Sequence, residues 1–158
     1  MTEWLMISGS RQATPEMIRY ACDSVRRAKE KGWTVMIGDN PKGVDLAVVS
    51  AFGKGLIVAS VAAEGARSLN LLKGGRGDTT RSAAEYAARD RLMADMCSIG
   101  MFVWNGKSPG TKAAFDYMAS LGKKCYLADF SGKKVKLTEA NAKPEPPPEP
   151  KATQIRMF

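Results

Sequence analysis

The most informative absence from this 158-residue chain is histidine, of which it has none. Without an imidazole, the chain cannot form a Ser-His-Asp or Cys-His catalytic centre. It also lacks a frequent metal ligand and the side chain that changes charge near neutral pH. Any catalysis would therefore depend on carboxylates, Arg, Lys, Tyr or hydroxyl groups.

Cysteine is also scarce. The chain has three cysteines, Cys22, Cys97 and Cys125, and their spacing matches neither a zinc site nor a redox pair. Each lies in a segment with the pattern of a helix or a strand, so we expect small, buried hydrophobic side chains there. The sequence therefore predicts no metal site.

Long apolar runs and a leader-type N-terminus are missing as well. No apolar stretch approaches the ~20 residues of a membrane helix, and the residues from Met1 to Trp4 carry neither a basic region nor a cleavage site. We therefore expect a cytoplasmic protein that does not enter a membrane. The length fits one domain that can bury its core without disulfides.

Basic residues outnumber acidic ones, 24 against 16, which gives a formal net charge of +8. Such a surplus favours anionic partners. It does not distinguish a bound nucleotide from a single-stranded nucleic acid, because both are anionic. Both interpretations stay open from charge alone.

What the chain does contain is a regular alternation of short apolar runs with segments of helical periodicity. The apolar runs predict strands near residues 4–8, 34–37, 56–61, 98–104 and 124–127, and the periodicity predicts helices near residues 15–31, 44–52, 81–96 and 111–121. This order is typical of an α/β fold with a doubly wound, mostly parallel Rossmann-like sheet and helices on both faces. In the third helix we expect Ala84, Ala87, Leu92 and Met96 to point inward.

Two segments depart from this alternation. Residues 62–80 combine several glycines with basic residues and few apolar anchors, which predicts a long mobile connection that closes over a site. Beyond residue 130 the composition turns to lysine and proline. We therefore divide the chain into a Rossmann-like nucleotide-binding domain, residues 1–130, and residues 131–158, an edge strand near 133–138 followed by a proline-rich C-terminal tail.

Two glycine loops occupy matching places in the two halves of the chain. Gly9, Ser10 and Arg11 follow the first predicted strand, and Ser108, Gly110 and Thr111 follow the fourth. A glycine turn that leads into a helix brings backbone N–H groups and the positive end of the helix dipole toward an anion. In a doubly wound sheet these two strands commonly flank the ligand crevice. We therefore predict that both loops bind one phosphate.

A third loop follows the second predicted strand, and its Gly38, Lys42 and Gly43 are further candidates for ligand binding. Asp39 and Asp45 could orient a ribose hydroxyl or act as acid and base. Both are equally compatible with routine turn or capping roles. Arg89 and Arg91, which are two residues apart on one helix, cannot share a face, and we assign Arg89 to the site.

These motifs together resemble the SLOG superfamily of Rossmann-like proteins, which includes the DNA-processing protein DprA (Smf), the LOG phosphoribohydrolases and the YspA-like proteins. The resemblance spans about Trp4 to Leu127 and is closest to the YspA-like branch. It is carried by Ile7 to Arg11, Gly38 to Asp45, Arg89 with Met93, and Trp104 to Thr111.

The resemblance implies a nucleotide or nucleotide-derived ligand, of the AMP, ADP-ribose or NAD type, with no required cofactor. It also implies a homo-oligomer, and an N-glycosidic bond as the target of any hydrolysis, with Arg89, Asp39 and Asp45 as catalytic candidates. Ala114 stands where LOG enzymes carry a glutamate. The likeness of the Gly43 to Asp45 stretch to DprA supports a second hypothesis, single-stranded nucleic-acid binding. A third is a non-catalytic nucleotide sensor that signals through oligomerisation.

Overall fold

The structure of the protein is a computed structural model that describes residues 3–62, 65–71 and 83–142. These residues form one seven-stranded sheet flanked by four α-helices. The strands are β1 (Trp4–Gly9), β2 (Thr34–Gly38), β3 (Ile57–Ala62), β4 (Gly65–Leu71), β5 (Ile99–Trp104), β6 (Lys124–Asp129) and β7 (Lys136–Ala140). The helices are α1 (Pro15–Glu30), α2 (Gly43–Phe52), α3 (Ala83–Met96) and α4 (Pro109–Ser120).

The order of the strands across the sheet is β4-β3-β2-β1-β5-β6-β7. The five central strands, from β3 to β6, run parallel, and the two edge strands pair antiparallel. The order of connection reverses between β1 and β5, where Leu5 lies opposite Ile99 and Gly9 opposite Val103. This position is the topological switch point, at which Rossmann-like sheets bind ligands. The predicted fold class is confirmed.

The core lies on both faces of the sheet. On one face, α1 and α2 pack on side chains such as Ile7, Ile37 and Val103. On the other, α3 and α4 pack on Met6, Phe102 and their neighbours. Alternate residues of each central strand point to opposite faces, so strands covered on both sides are apolar throughout. This explains why the central strands could be predicted as short apolar runs.

The start of α1 is set by the capping residues that the sequence contains. Thr14 caps α1, and its hydroxyl accepts the N–H of Met17 at 3.2 Å, with Pro15 at the first helical position. The predicted buried cysteines are found at Cys97 and Cys125, whereas Cys22 is half-buried. No helix among the described residues is long and apolar enough to span a bilayer.

Two details of the prediction are wrong. Residues 65–71 form β4, although the sequence predicted only a connection there. The reason is antiparallel pairing with β3, which supplies the hydrogen bonds that the weak alternation of this segment does not signal. In α3, Met96 is 41% exposed and Ala87 is exposed, while Arg89 and Met93 are buried. Residues 63–64 and 72–80, which carry the rest of the predicted closing loop, lie outside the described residues. So do residues 81–82, predicted as the start of the third helix, and the tail from residue 143.

Candidate functional site

A cavity of about 460 Å³ lies at the carboxyl ends of β1 and β5. Its size is within the range of small-molecule sites. It is lined by the end of β1 and the loop after it, the loop after β2, one side of α3, the loop after β5 and the first turn of α4. The lining residues are Ser8, Gly9, Arg11, Gln12, Asn40, Tyr86, Ala87, Arg89, Asp90, Asn105, Lys107, Ser108, Pro109, Gly110 and Thr111.

The loops after β1 and β5 are joined by hydrogen bonds. The backbone N–H of Ser10 donates to the carbonyl of Val103 at 3.1 Å, and the Ser10 hydroxyl accepts the N–H of Asn105 at 3.0 Å. The side-chain amide of Asn105 donates to the carbonyl of Gln12 at 3.2 Å. The two predicted phosphate loops therefore lie side by side, and the buried Ser10 has a structural partner.

The start of α4 is shaped by Asn105. Its side-chain carbonyl accepts the N–H groups of Lys107 and Ser108, each at 2.9 Å. This turn directs the chain into α4, and Pro109, Gly110 and Thr111 line the cavity. The indole N–H of Trp104 donates to the Ser108 carbonyl at 2.8 Å. Trp104 therefore supports the loop from outside the set of lining residues.

The start of α1, unlike that of α4, does not line the cavity. Arg11 and Gln12 line the cavity, but α1 begins only at Pro15, and neither Thr14 nor Pro15 is among the lining residues. The symmetric arrangement predicted for the two glycine loops is therefore only partly present. One loop supplies side chains, and the other supplies a helix N-terminus.

The loop after β2 packs beneath the cavity. Gly9 must be glycine because an added Cβ would lie 2.5 Å from the Cβ of Val44. Gly43 has a φ of +73°, and an added Cβ there would lie 2.2 Å from the Ser10 carbonyl oxygen. The predicted ligand-binding residues Gly38, Lys42 and Gly43 do not line the cavity, and Lys42 is exposed. The residue of this loop that lines the cavity is Asn40.

A buried charge cluster lies at the inner end of the cavity, formed by Arg89 and three aspartates. Arg89 is 2% exposed, and its Nη1 lies 2.5 Å from Oδ1 of Asp39, which is also 2% exposed. Its Nε donates to Oδ1 of Asp90 at 3.1 Å, and its Nη1 also donates to the carbonyl of Ala59 at 3.3 Å. Burial by itself would lower the pKa of Arg89, but Asp90, Asp45 and Asp39 together raise it above its ordinary value.

Asp45 is the third carboxylate of this cluster and is 3% exposed. Its Oδ2 accepts the backbone N–H of Asn40 at 3.2 Å, while its Oδ1 is buried without a hydrogen-bond partner in the described part of the chain. Burial raises the pKa of Asp45 to about 7, opposed by the charge of Arg89. Burial in this cluster therefore favours the neutral form of the Asp45 carboxyl group.

Gly38 makes this cluster possible. An added Cβ at Gly38 would lie 2.7 Å both from Nη1 of Arg89 and from Oδ2 of Asp45. These two atoms are therefore no more than twice 2.7 Å apart. Gly38 thus keeps the space that the guanidinium and the carboxylate fill.

The positions of the predicted catalytic residues differ. Arg89 lines the cavity, whereas Asp39 and Asp45 are not among the lining residues. The carboxylate that does line it is Asp90, whose side chain is 15% exposed. The pKa of Asp90 is raised by burial, against the lowering effect of Arg89. Sequence analysis overlooked Asp90, although its place next to Arg89 was a usable signal.

Tyr86 was overlooked as well. It lines the cavity, is 6% exposed, and lies one helical turn before Arg89. The guanidinium carbon of Arg89 lies 5.2 Å from the centre of the Tyr86 ring, and that of Arg11 lies 4.9 Å from the same centre. Arg11 is exposed and pairs with no carboxylate among the described residues. The cavity is therefore lined by an exposed cation that has no carboxylate partner in the ranges that the structure describes.

The fold and this cavity define a Rossmann-like α/β protein with a ligand-sized space at the switch point of its sheet. No group of His, Cys, Asp and Glu side chains in the described ranges is arranged to hold a metal ion. No protein-family model matches the sequence. No curated protein is significantly similar to it.

Solved structures do show similarity. A molybdenum cofactor binding protein from the phototrophic bacterium Rippkaea orientalis aligns with a TM-score of 0.58 at 14% identity, over 82% of this chain and 77% of its own. DNA processing protein A from Helicobacter pylori, described for its single-stranded DNA binding mode, aligns with a TM-score of 0.56 at 14% identity, over 79% of this chain and 64% of its own. These likenesses establish the shared fold.

Proposed function

We propose that the protein binds a nucleotide, or another phosphorylated small molecule, in the cavity between β1 and β5. The observation that carries this proposal is the meeting of the first turn of α4 with Arg11 and Lys107 around one space. The N–H groups in the first turn of a helix have no acceptor within the helix and carry the positive end of its dipole, so they favour a phosphate.

Gly110 supports the same proposal. It is exposed and lines the cavity, and an added Cβ would meet no atom within 4 Å. Glycine is therefore not required there by packing within the described residues. Its lack of a side chain gives a phosphate access to the backbone N–H groups of the first turn. Gly9, Ser108 and Thr111 also line this predicted phosphate site, whereas the predicted Ser10 is buried and does not line the cavity.

The ligand is tested by calorimetric titration of the protein with AMP, ADP-ribose and NAD. We expect at least one of them to bind more tightly than millimolar. The Gly110→Asp variant should weaken that binding at least about tenfold, because it places a negative charge against the phosphate. The same aspartate favours the start of a helix, so the variant should fold.

Ala113→Asp is the matched control, because Ala113 is an exposed residue of α4 outside the lining residues. It introduces the same charge into the same helix and should change affinity less than threefold, on the order of a weakly screened surface charge. Equal losses for the two variants, or no binding of any of the three ligands, would reject the proposal.

Hydrolysis of an N-glycosidic bond stays a prediction. Water would add to the anomeric carbon, and the base would leave with a proton. Arg89 and Asp90 are the lining residues whose charge could assist this step, since Asp39 and Asp45 lie outside the lining. Chromatography of AMP incubated with the protein and with Asp90→Asn tests it. Free adenine formed by the parent protein and not by the variant would support hydrolysis.

Single-stranded nucleic-acid binding is the second candidate. It is supported by the net charge of +8 and by the fold shared with DNA processing protein A from Helicobacter pylori, which binds single-stranded DNA. A gel shift with a single strand at two salt concentrations distinguishes the candidates. A strand binder shows retention that falls steeply with salt, because binding releases counterions.

Two finer proposals follow from the family resemblance. We infer a homo-oligomer and a cytoplasmic location, and a sensor that signals through its oligomeric state stays a third hypothesis. Light scattering with and without AMP measures the mass in solution, and cell fractionation measures the location. A monomeric mass under both conditions would count against the oligomer and the sensor.

A further inference from the structure

Two guanidinium groups that line the cavity lie near one aromatic ring. Arg11 comes from the loop after β1, whereas Arg89 and the ring itself, Tyr86, come from α3. Since the guanidinium carbons lie 4.9 Å and 5.2 Å from the ring centre, they are no more than the sum of these distances apart.

Of these two arginines, only Arg89 has carboxylate partners among the described residues. Arg89 is 2% exposed and bonds to Asp39 and Asp90. Arg11 is exposed and has no carboxylate partner in the described part of the chain. Arg11 is therefore available to pair with an anionic ligand in the cavity that it lines.

A free arginine on a surface loop would lose rotamer freedom on binding an anion. The Tyr86 ring reduces that cost, because a cation held over an aromatic face already occupies a restricted position. Tyr86 is itself 6% exposed, so the surface that it offers to Arg11 is fixed by packing.

We infer that Tyr86 is a positioning residue that holds Arg11 toward the cavity as an anion ligand, opposite the anion site at the start of α4. This inference rests on the proposed function and refines it. It specifies a ligand whose negative charge is contacted from two elements, the loop after β1 and α4. It also separates the two arginines by role, with Arg11 binding the ligand and Arg89 balancing buried carboxylates.

The test is a double-mutant cycle between Tyr86 and Arg11, with AMP and ADP-ribose titrated by calorimetry. Arg11→Ala should weaken binding about tenfold, because it removes a charge-assisted contact. Tyr86→Leu should weaken binding about two- to fivefold, the size of an exposed cation–π contact. Tyr86→Phe keeps the aromatic ring, and this variant should bind the ligand with the affinity of the parent protein.

The decisive result is the loss of the Tyr86 effect when Arg11 is absent. The Arg11→Ala, Tyr86→Leu double variant should bind as Arg11→Ala does. A Tyr86→Leu loss of equal size with and without Arg11 would overturn the inference, because the ring would then act on the ligand or on the fold directly. Tyr86→Met is measured in parallel, so that the conclusion does not depend on the folding of one variant.

Failure of the proposed function gives a different result. If neither AMP nor ADP-ribose binds the parent protein, the cavity does not take this class of ligand. If one of them binds and the cycle shows no coupling between Tyr86 and Arg11, the proposed ligand site is retained and the positioning role of Tyr86 is rejected.

Discussion

The two arginines on the Tyr86 ring show how the same side chain takes different roles at two ends of one cavity. Arg89, at the inner end, is buried with Asp39 and Asp90 as partners. Arg11, at the mouth, is exposed and has no carboxylate partner among the described residues. A buried cation must be paired to be tolerated, whereas an exposed one can keep its charge for a ligand. The inner end is therefore expected to govern stability, and the mouth is expected to govern binding.

The largest expected effect comes from removing Arg89. Arg89→Ala leaves the buried carboxylates of its cluster without their cation, and we expect a loss of about 3–5 kcal/mol in the free energy of unfolding. Arg11→Ala is the matched control and should change it by less than about 0.5 kcal/mol. Urea denaturation measures both variants. Similar losses for the two arginines would break the division between the inner end and the mouth.

The second prediction concerns Asp45 and pH. Because burial raises its pKa to about 7, the folded protein binds a proton that the unfolded chain releases at lower pH. Stability contributed by this group is therefore present at acid pH and is lost as the pH rises toward 7. Asp45→Asn should raise the free energy of unfolding by about 2–4 kcal/mol at pH 8.

The gain from Asp45→Asn should shrink steadily between pH 8 and pH 4, as the parent carboxyl becomes protonated. Denaturation at several pH values measures this trend. Asp116→Asn is a suitable control, because Asp116 is an exposed residue paired with Lys112. A gain that does not depend on pH would show that Asp45 is not the titrating group.

The smallest predicted effect is on the salt dependence of ligand binding. Arg11→Ala should lower the affinity for AMP at low salt more than at high salt, because exposed charges are screened. Calorimetry at two salt concentrations measures the ratio between parent and variant. A ratio that stays constant would mean that Arg11 contributes through contact area instead of charge.

Much of the fold follows from the sequence because its signals are local. Strands buried on both faces are apolar throughout, and caps such as Thr14 with Pro15 mark where helices begin. β4 could not be predicted in this way, since pairing with β3 stabilises it. The prediction of which α3 residues point inward was wrong for a related reason. A helical pattern by itself places arginine outside. Arg89 is tolerated inside because carboxylates surround it, among them Asp39, which is 50 residues away in the chain.

The site was predictable in outline. Glycine turns at strand ends indicated which loops meet, and β1 and β5 do lie side by side. The sequence did not indicate that the N-terminus of α4 lines the cavity while that of α1 does not. This difference depends on how many residues separate the end of each strand from the start of the next helix. Whether Asp90 and Tyr86 face the cavity depends on the rotation of α3 about its axis. The apolar pattern of this short helix does not determine that rotation, because one of its inward positions carries a charge.

The central claim is that an anionic ligand lies against the first turn of α4. Nuclear magnetic resonance of the labelled protein during addition of AMP or ADP-ribose tests it most directly, because each backbone amide reports on its own surroundings. We predict that the resonances of Gly110 and Thr111 shift with the ligand, while those of Gly32 and Gly122 do not. Saturable shifts that leave Gly110 and Thr111 unchanged and appear elsewhere on the protein would contradict the account.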